Sequence, residues 1–299
     1  MAVNWDDIVC IIPIITPFRD DFEVDEDGLR ALVEFLIAEQ RADAIIPCGT
    51  TGESPTLSHA EHRRVIELVV EAVDGRVPVI AGAGSNSTRE AVELTKAAQA
   101  LGCDATLQVG PYYNRPSQAG MIEHYTSIAE ATPLPVIIYN IPSRTGRNIE
   151  PDTVVQLSKV ETIIGLKDAS GDINQAGKIL RATRGKSFYV WAGEDALLLP
   201  LLALGGQGAV AAVAHVMGHE VCDMAAAVKN GDLAAARSIY DRTSELIGAL
   251  FCEPNPAPVK QALEWLGQPA GTLRPPLTGM TDAGKKRLRE ALIAAGKLV

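Results

Sequence analysis

The sequence predicts an α/β fold, a (β/α)8 TIM barrel with a small C-terminal all-helical appendage, on three observations. Apolar runs rich in valine and isoleucine recur from residue 8 to residue 214, with amphipathic helical stretches between them. Most of these runs are apolar at successive positions, not alternating, as parallel strands covered on both faces are. The turn after the first run reads Thr16-Pro17-Phe18. A doubly wound open sheet, the competing fold, normally places a glycine-rich nucleotide turn there.

The first strand is expected over 8–15. Leu29, Leu32, Val33, Leu36 and Ile37 then fall at i, i+3, i+4, i+7 and i+8, one apolar helical stripe. The second strand is expected over 44–48, and Ser58 with Glu61 makes a capping box for the helix after it. A third strand over 77–83 is followed by the same pattern at Ser87 and Glu90. Further strands are expected over 105–109, 136–140, 163–167, 188–192 and 208–214. Asp152, Asp172 and His219-Glu220 are expected to open helices. Beyond Lys229-Asn230-Gly231-Asp232 the strand pattern stops. Helices are expected over 233–251, 256–266 and 282–298, separated by Pro-rich joints at 253–256 and 273–276. Residues 1–231 therefore read as the barrel that holds the catalytic site, and 232–299 as the C-terminal helical region.

The chain of 299 residues is 47% hydrophobic, enough for a sizeable core. A net charge of -10 and a pI near 5.1 leave no basic field for a phosphate backbone, so no nucleic acid is expected. No run is long enough for a membrane span, and the N-terminus does not read as a signal peptide. Cys10, Cys48, Cys103, Cys222 and Cys252 are widely spaced, as reduced thiols of a cytoplasmic protein are. Two imidazoles, His215 and His219, do not make a metal site without a third ligand, and no metal is expected.

In such a barrel the chemistry gathers where strands end at the C-terminal face. The run 163–167 ends in Lys167, an ammonium that burial pushes towards the neutral, nucleophilic amine. Its neighbour Asp168 points to the opposite face of the strand and is a poor partner for it. The other strands deliver Thr50, Thr51, Glu53 and Ser54; Tyr112, Tyr113 and Arg115; Tyr139 and Arg144; and Gly193, Glu194 and Asp195 to the same rim. An amine nucleophile needs such proton carriers beside it. Thr50 and Thr51 also suit helix capping, and Arg144 either surface solvation or a bidentate grip on a carboxylate. The acidic Glu194-Asp195 after strand seven is expected to repel phosphate, so a non-phosphorylated substrate is expected.

The segments 49–54 (Gly-Thr-Thr-Gly-Glu-Ser), 111–117 (Pro-Tyr-Tyr-Asn-Arg-Pro-Ser), 139–146 (Tyr-Asn-Ile-Pro-Ser-Arg-Thr-Gly) and 164–171 (Ile-Gly-Leu-Lys-Asp-Ala-Ser-Gly) resemble the dihydrodipicolinate synthase family of pyruvate-dependent class I aldolases. The likeness runs essentially end to end, through 253–260 and 274–277. It implies that Lys167 forms an imine with pyruvate, without a cofactor, and that the derived enamine attacks L-aspartate 4-semialdehyde. It implies a proton relay of Tyr139, Thr51 and Tyr113. Thr50 and Thr51, with backbone near Gly193 and Val210, hold the pyruvate carboxylate, and Arg144 holds that of the semialdehyde. Tyr113 is implied to reach into a neighbouring subunit of a homotetramer built from two tight dimers. Ser54, His59, His62, Asn86, Glu90 and Tyr112 match the residue types of a feedback site for L-lysine, although Pro55 departs from the small residue usual there. Val210 replaces a common isoleucine, a change of one methylene. A sister lyase acting on N-acetylneuraminate or a 2-keto-3-deoxy sugar acid, and a non-catalytic sensor on the same barrel, remain alternatives at this point.

Overall fold

The computed structural model describes residues 3–298. Eight strands form one sheet in the order β2-β1-β8-β7-β6-β5-β4-β3, every neighbour parallel. They are β1 (Cys10–Pro13), β2 (Ala44–Ile46), β3 (Ile80–Gly82), β4 (Ala105–Val109), β5 (Val136–Asn140), β6 (Ile163–Asp168), β7 (Tyr189–Ala192) and β8 (Gly208–Val210). A single parallel bridge between Ile45 and Val79 joins the two ends of the sheet, so the sheet is a nearly closed barrel.

The helices are α1 (Glu26–Ala38), α2 (His59–Val73), α3 (Thr88–Ala100), α4 (Gln118–Ala131), α5 (Pro142–Thr145), α6 (Pro151–Leu157), α7 (Ile173–Thr183), α8 (Leu198–Ala203), α9 (Ala214–Lys229), α10 (Leu233–Leu250), α11 (Ala257–Trp265) and α12 (Asp282–Ala294). The last three follow the barrel: α10 packs on α9 and α12, and α11 on α9 and α12. No described helix is long and apolar enough to cross a membrane.

Several strands are shorter than their apolar runs. β3 keeps only Ile80–Gly82 of the expected 77–83, and Pro78 within that run has no N–H to give to a ladder. The Ser58–Glu61 capping box forms. The one expected at Ser87 and Glu90 does not, because Glu90 instead accepts from Ser85 Oγ and pairs with His59 Nε2 at 2.9 Å. Asp172 caps α7 by accepting from Asn174 and Gln175 N–H groups. α6 opens one residue before Asp152, on Pro151, whose missing N–H costs nothing at a first helical position. α9 opens at Ala214, not at His219, and carries a break at Met217.

Two apolar layers result. Ile11, Ile46, Ile80, Leu107, Ile137, Tyr139, Trp191 and Val210 fill the barrel interior. Ile12, Ile45, Ile138 and Leu166 face the helices instead. In β6, Val136 pairs with Ile163 and Ile137 with Gly165, so Ile164 is one extra residue. Beyond that irregularity Lys167 pairs with Tyr139 on the interior side. Gly165 is required there: a Cβ on it would lie 2.7 Å from the Trp191 ring and 2.5 Å from Tyr189 O.

Candidate active site

Lys167, the last residue but one of β6, lies inside the mouth of the barrel, 6% exposed, with its Nζ 4.1 Å from the centroid of the Tyr139 ring. Asp168 faces away from it, as the strand period predicts. Its Oδ1 accepts from Ser170 N at 3.0 Å and from Asn140 Nδ2 at 3.4 Å. Gly193, after β7, leaves room for the lysine: a Cβ there would lie 2.9 Å from Lys167 Cγ.

The medium around Lys167 shifts it towards the neutral amine. Burial brings its pKa down to about 8, the Asp195 carboxylate opposes the fall, and the Arg144 guanidinium adds to it. Burial also pushes the Tyr139 phenol up to about 12, with Arg144 and Thr50 opposing, so the phenol stays protonated at neutral pH. A neutral amine beside a protonated phenol can attack a carbonyl and return a proton to the oxygen that leaves.

A pocket of about 180 Å³ contains Lys167, Tyr139, Thr50, Thr51, Arg144, Gly193 and Val210. Thr50 and Thr51 sit on a tight turn after β2, where Gly52 N donates to Gly49 O and Glu53 N to Thr50 O, both at 3.1 Å. Thr16 Oγ1 clamps that turn through Gly52 O at 2.7 Å. Arg144 rides on α5, a one-turn helix in the loop after β5, and its side chain is exposed at the rim. Tyr113 is not brought to Lys167 by this chain: it is 92% exposed, with φ at +69°.

A larger cleft of about 430 Å³ shares Thr50, Tyr139, Arg144 and Lys167 with that pocket and extends to Ser54, His59, His62, Glu90 and Tyr112. Asn86 stands beside it and donates from Nδ2 to Tyr112 O at 3.2 Å. His62 is buried, held neutral by that burial, and its Nε2 lies 2.8 Å from Gly82 O. The discounted His215 is fully buried: Nδ1 lies 2.8 Å from Ala212 O, and Nε2 accepts from Ile15 N at 3.2 Å.

Two further residues meet the site: Asp195, which the sequence places on the rim, and Asn255, which it does not single out. Asp195 is 4% exposed, lines the Lys167 pocket and accepts from Val213 N at 3.1 Å. It is a buried carboxylate, and burial raises its pKa to about 7, well above the usual carboxylate range. Asn255, between α10 and α11, donates from Nδ2 to Thr51 Oγ1 at 3.0 Å. Its only sequence signal is the 253–260 segment, about 200 residues beyond the loop it touches.

Comparison with known proteins places this geometry. The model of the dihydrodipicolinate synthetase family matches residues 8–295. A 4-hydroxy-tetrahydrodipicolinate synthase of Methanothrix thermoacetophila is 47% identical over 279 residues, 93% of this chain and 94% of that protein. The crystal structure of the dihydrodipicolinate synthase of Cyanidioschyzon merolae with lysine bound superposes with a TM-score of 0.94 at 46% identity. It covers 97% of this chain and 98% of its own. The chloride-inhibited dihydrodipicolinate synthase of Acinetobacter baumannii, complexed with pyruvate, gives 0.93 at 42% identity over 97% of this chain and 99% of its own. Agreement of sequence and fold over nearly the full length establishes that the chain belongs to the dihydrodipicolinate synthetase family.

Proposed function

We propose that this enzyme condenses pyruvate with L-aspartate 4-semialdehyde to 4-hydroxy-tetrahydrodipicolinate, a step towards diaminopimelate and L-lysine. The Lys167 amine adds to the keto carbon, and loss of water from the carbinolamine leaves an imine. Loss of a methyl proton gives the enamine, whose carbon forms the new bond to the aldehyde. The amine of the second substrate then attacks the imine carbon and expels Lys167. Protonated imine nitrogen is the electron sink for each step, so no further cofactor is called for.

Tyr139 donates to the departing carbinolamine oxygen, within a relay completed by Thr50, in place of the expected Thr51, and by Tyr113 of a neighbouring subunit. Thr50 and Thr51 hold the pyruvate carboxylate with backbone near Gly193 and Val210, and Arg144 holds the semialdehyde carboxylate. The outward projection of Tyr113 supports contact with a neighbouring subunit, and we assign the enzyme to a homotetramer of two tight dimers in the cytoplasm. The cleft carrying Ser54, His59, His62, Glu90 and Tyr112, with Asn86 beside it, is assigned to L-lysine as a feedback inhibitor. The helical region 232–299 braces the barrel mouth.

One observation carries the reading: an amine whose pKa burial brings down to about 8, in register with a phenol, in a pocket lined with hydroxyls. Borohydride reduction in the presence of pyruvate tests it. One reduced pyruvyl adduct on the peptide containing Lys167, with loss of activity, is expected; an unmodified peptide overturns the reading.

A further inference from the structure

Resting on the pyruvate-imine reading above, we infer that Asn255 is a positioning residue for this reaction, which fixes Thr51 as a hydrogen-bond donor into the substrate pocket. An amide nitrogen donates and does not accept. Asn255 Nδ2 carries only hydrogens, so in its 3.0 Å contact the Thr51 oxygen must accept. A hydroxyl has a single hydrogen. With Asn255 occupying a lone pair, that hydrogen turns away from the asparagine. Thr51 is 4% exposed and its hydroxyl donates to no group among the described residues. The partner left to it is an acceptor arriving in the pocket that Thr51 and Asn255 both line, such as the carboxylate of a keto acid. The other amide atom, Asn255 Oδ1, is buried and has no hydrogen-bond partner among the described residues, so the bond from Nδ2 to Thr51 is the side-chain hydrogen bond that orients this amide.

The placement of Asn255 is itself secured. It lies in the joint between α10 and α11, where Ala257 N donates to Pro254 O and Lys260 N to Pro256 O. Lys260 Nζ then reaches back to the Thr51 loop, 2.6 Å from Glu53 Oε1, while also donating to Thr272 O at 2.6 Å. Arg274 N donates to the other oxygen, Glu53 Oε2, at 3.0 Å. The two C-terminal segments that carry no chemistry of their own, 253–260 and 274–277, thus converge on one catalytic loop. Asn255 is where that brace touches a substrate-holding hydroxyl.

Three variants test the inference in the intact enzyme: Asn255→Ala, Asn255→Asp and Thr51→Val. Removing the amide frees the Thr51 hydroxyl to rotate, which is expected to raise the pyruvate KM about tenfold, the loss of one oriented hydrogen bond. A carboxylate is worse, because it accepts the Thr51 hydrogen and turns the donor the wrong way. Asn255→Asp is therefore expected to raise the pyruvate KM about a hundredfold. In both, the semialdehyde KM and the melting temperature stay close to wild type. Because Asn255 acts through Thr51, adding Asn255→Ala to Thr51→Val costs little more. Equal losses in the Ala and Asp variants with a fallen melting temperature, fully additive losses in the double variant, or unchanged pyruvate KM overturn the inference. Borohydride trapping of the wild type separates the two levels: a trapped wild type with additive losses removes only the role of Asn255, whereas an untrapped one removes the reaction beneath it.

Discussion

Tyr139 and Lys167 are register partners on β5 and β6, and the amine lies 4.1 Å from the centroid of the phenol ring. Neighbouring parallel strands thus place a nucleophile and a proton donor side by side without any loop to position them, the most precise support a site can have. Lys167→Arg keeps the charge but cannot form an imine. It is expected to abolish pyruvate trapping and lower kcat by roughly 1,000-fold or more. Tyr139→Phe keeps the ring and removes the proton, so kcat is expected to fall about 100-fold or more while the protein melts as before. Paired trapping and steady-state assays check both.

The pH dependence of imine formation follows from the medium around Lys167. Protonated amine is not a nucleophile, so the trapping rate is expected to rise through a midpoint near pH 8, where about half of the buried lysine has lost its proton, and to level off at higher pH. Asp195 favours the ammonium, opposing the effect of burial. Asp195→Asn keeps an acceptor for Val213 N but removes that charge. The lysine then loses its proton more readily, and the profile moves to lower pH. Stopped-flow imine formation from mildly acidic to mildly alkaline pH reads the shift, and a profile moved to higher pH would contradict this sign.

Arg144 lines both the Lys167 pocket and the larger cleft, and among the described residues no other guanidinium lines either. Arg144→Ala is expected to raise the semialdehyde KM about tenfold or more and lower turnover, since a charged hydrogen bond to a carboxylate is lost. Pyruvate trapping on Lys167 persists in this variant. Unchanged semialdehyde kinetics would remove the assigned role.

Glu90 holds Ser85 and His59 in the cleft assigned to L-lysine. Its carboxylate and the Tyr112 carbonyl region suit an ammonium-bearing ligand. Glu90→Ala is expected to weaken L-lysine binding about tenfold or more by calorimetry, the loss of a charged hydrogen bond, and to raise the concentration needed for inhibition, with the uninhibited rate retained. Equal lysine binding by variant and wild type would refute the assignment.

The barrel is legible in the sequence because each parallel strand advertises itself locally, by a short apolar run beside an amphipathic helix. Boundaries are less so: an apolar run such as 77–83 extends past its ladder when a proline lies in it. The failed box at Ser87 shows the same limit. Glu90 has the right spacing for a cap, but its stronger partners are Ser85 and the distant His59. Lys167, Tyr139, Thr50 and Thr51 are legible because topology alone puts strand ends on one rim. Asn255 is not, since its contact depends on how the last helices pack back over the barrel. Asp195 shows in the sequence as an acid after a strand, and only burial tells whether it faces water.

The ion pair of Glu53 and Lys260 is the brace's own stability test. The side chains are 0% and 4% exposed, with Nζ 2.6 Å from Oε1. Lys260 also lies over the Phe18 ring, as does Arg274, whose guanidinium binds Phe22 O, Thr56 O and Glu61. Two buried charges this close stabilise little by themselves, but either one alone is a large penalty. Lys260→Met strands the Glu53 carboxylate and is expected to cost about 3–5 kcal/mol in unfolding free energy. Glu53→Gln alone strands the ammonium and costs a similar amount. The double variant Glu53→Gln/Lys260→Met leaves no buried charge on this pair, and the amide introduced at position 53 still accepts from Arg274 N. Its loss is therefore expected to be well below the sum of the single losses. Urea titration of the four proteins measures this coupling. Strictly additive losses would mean that the C-terminal helices are held to the catalytic loop by packing, and not by this pair.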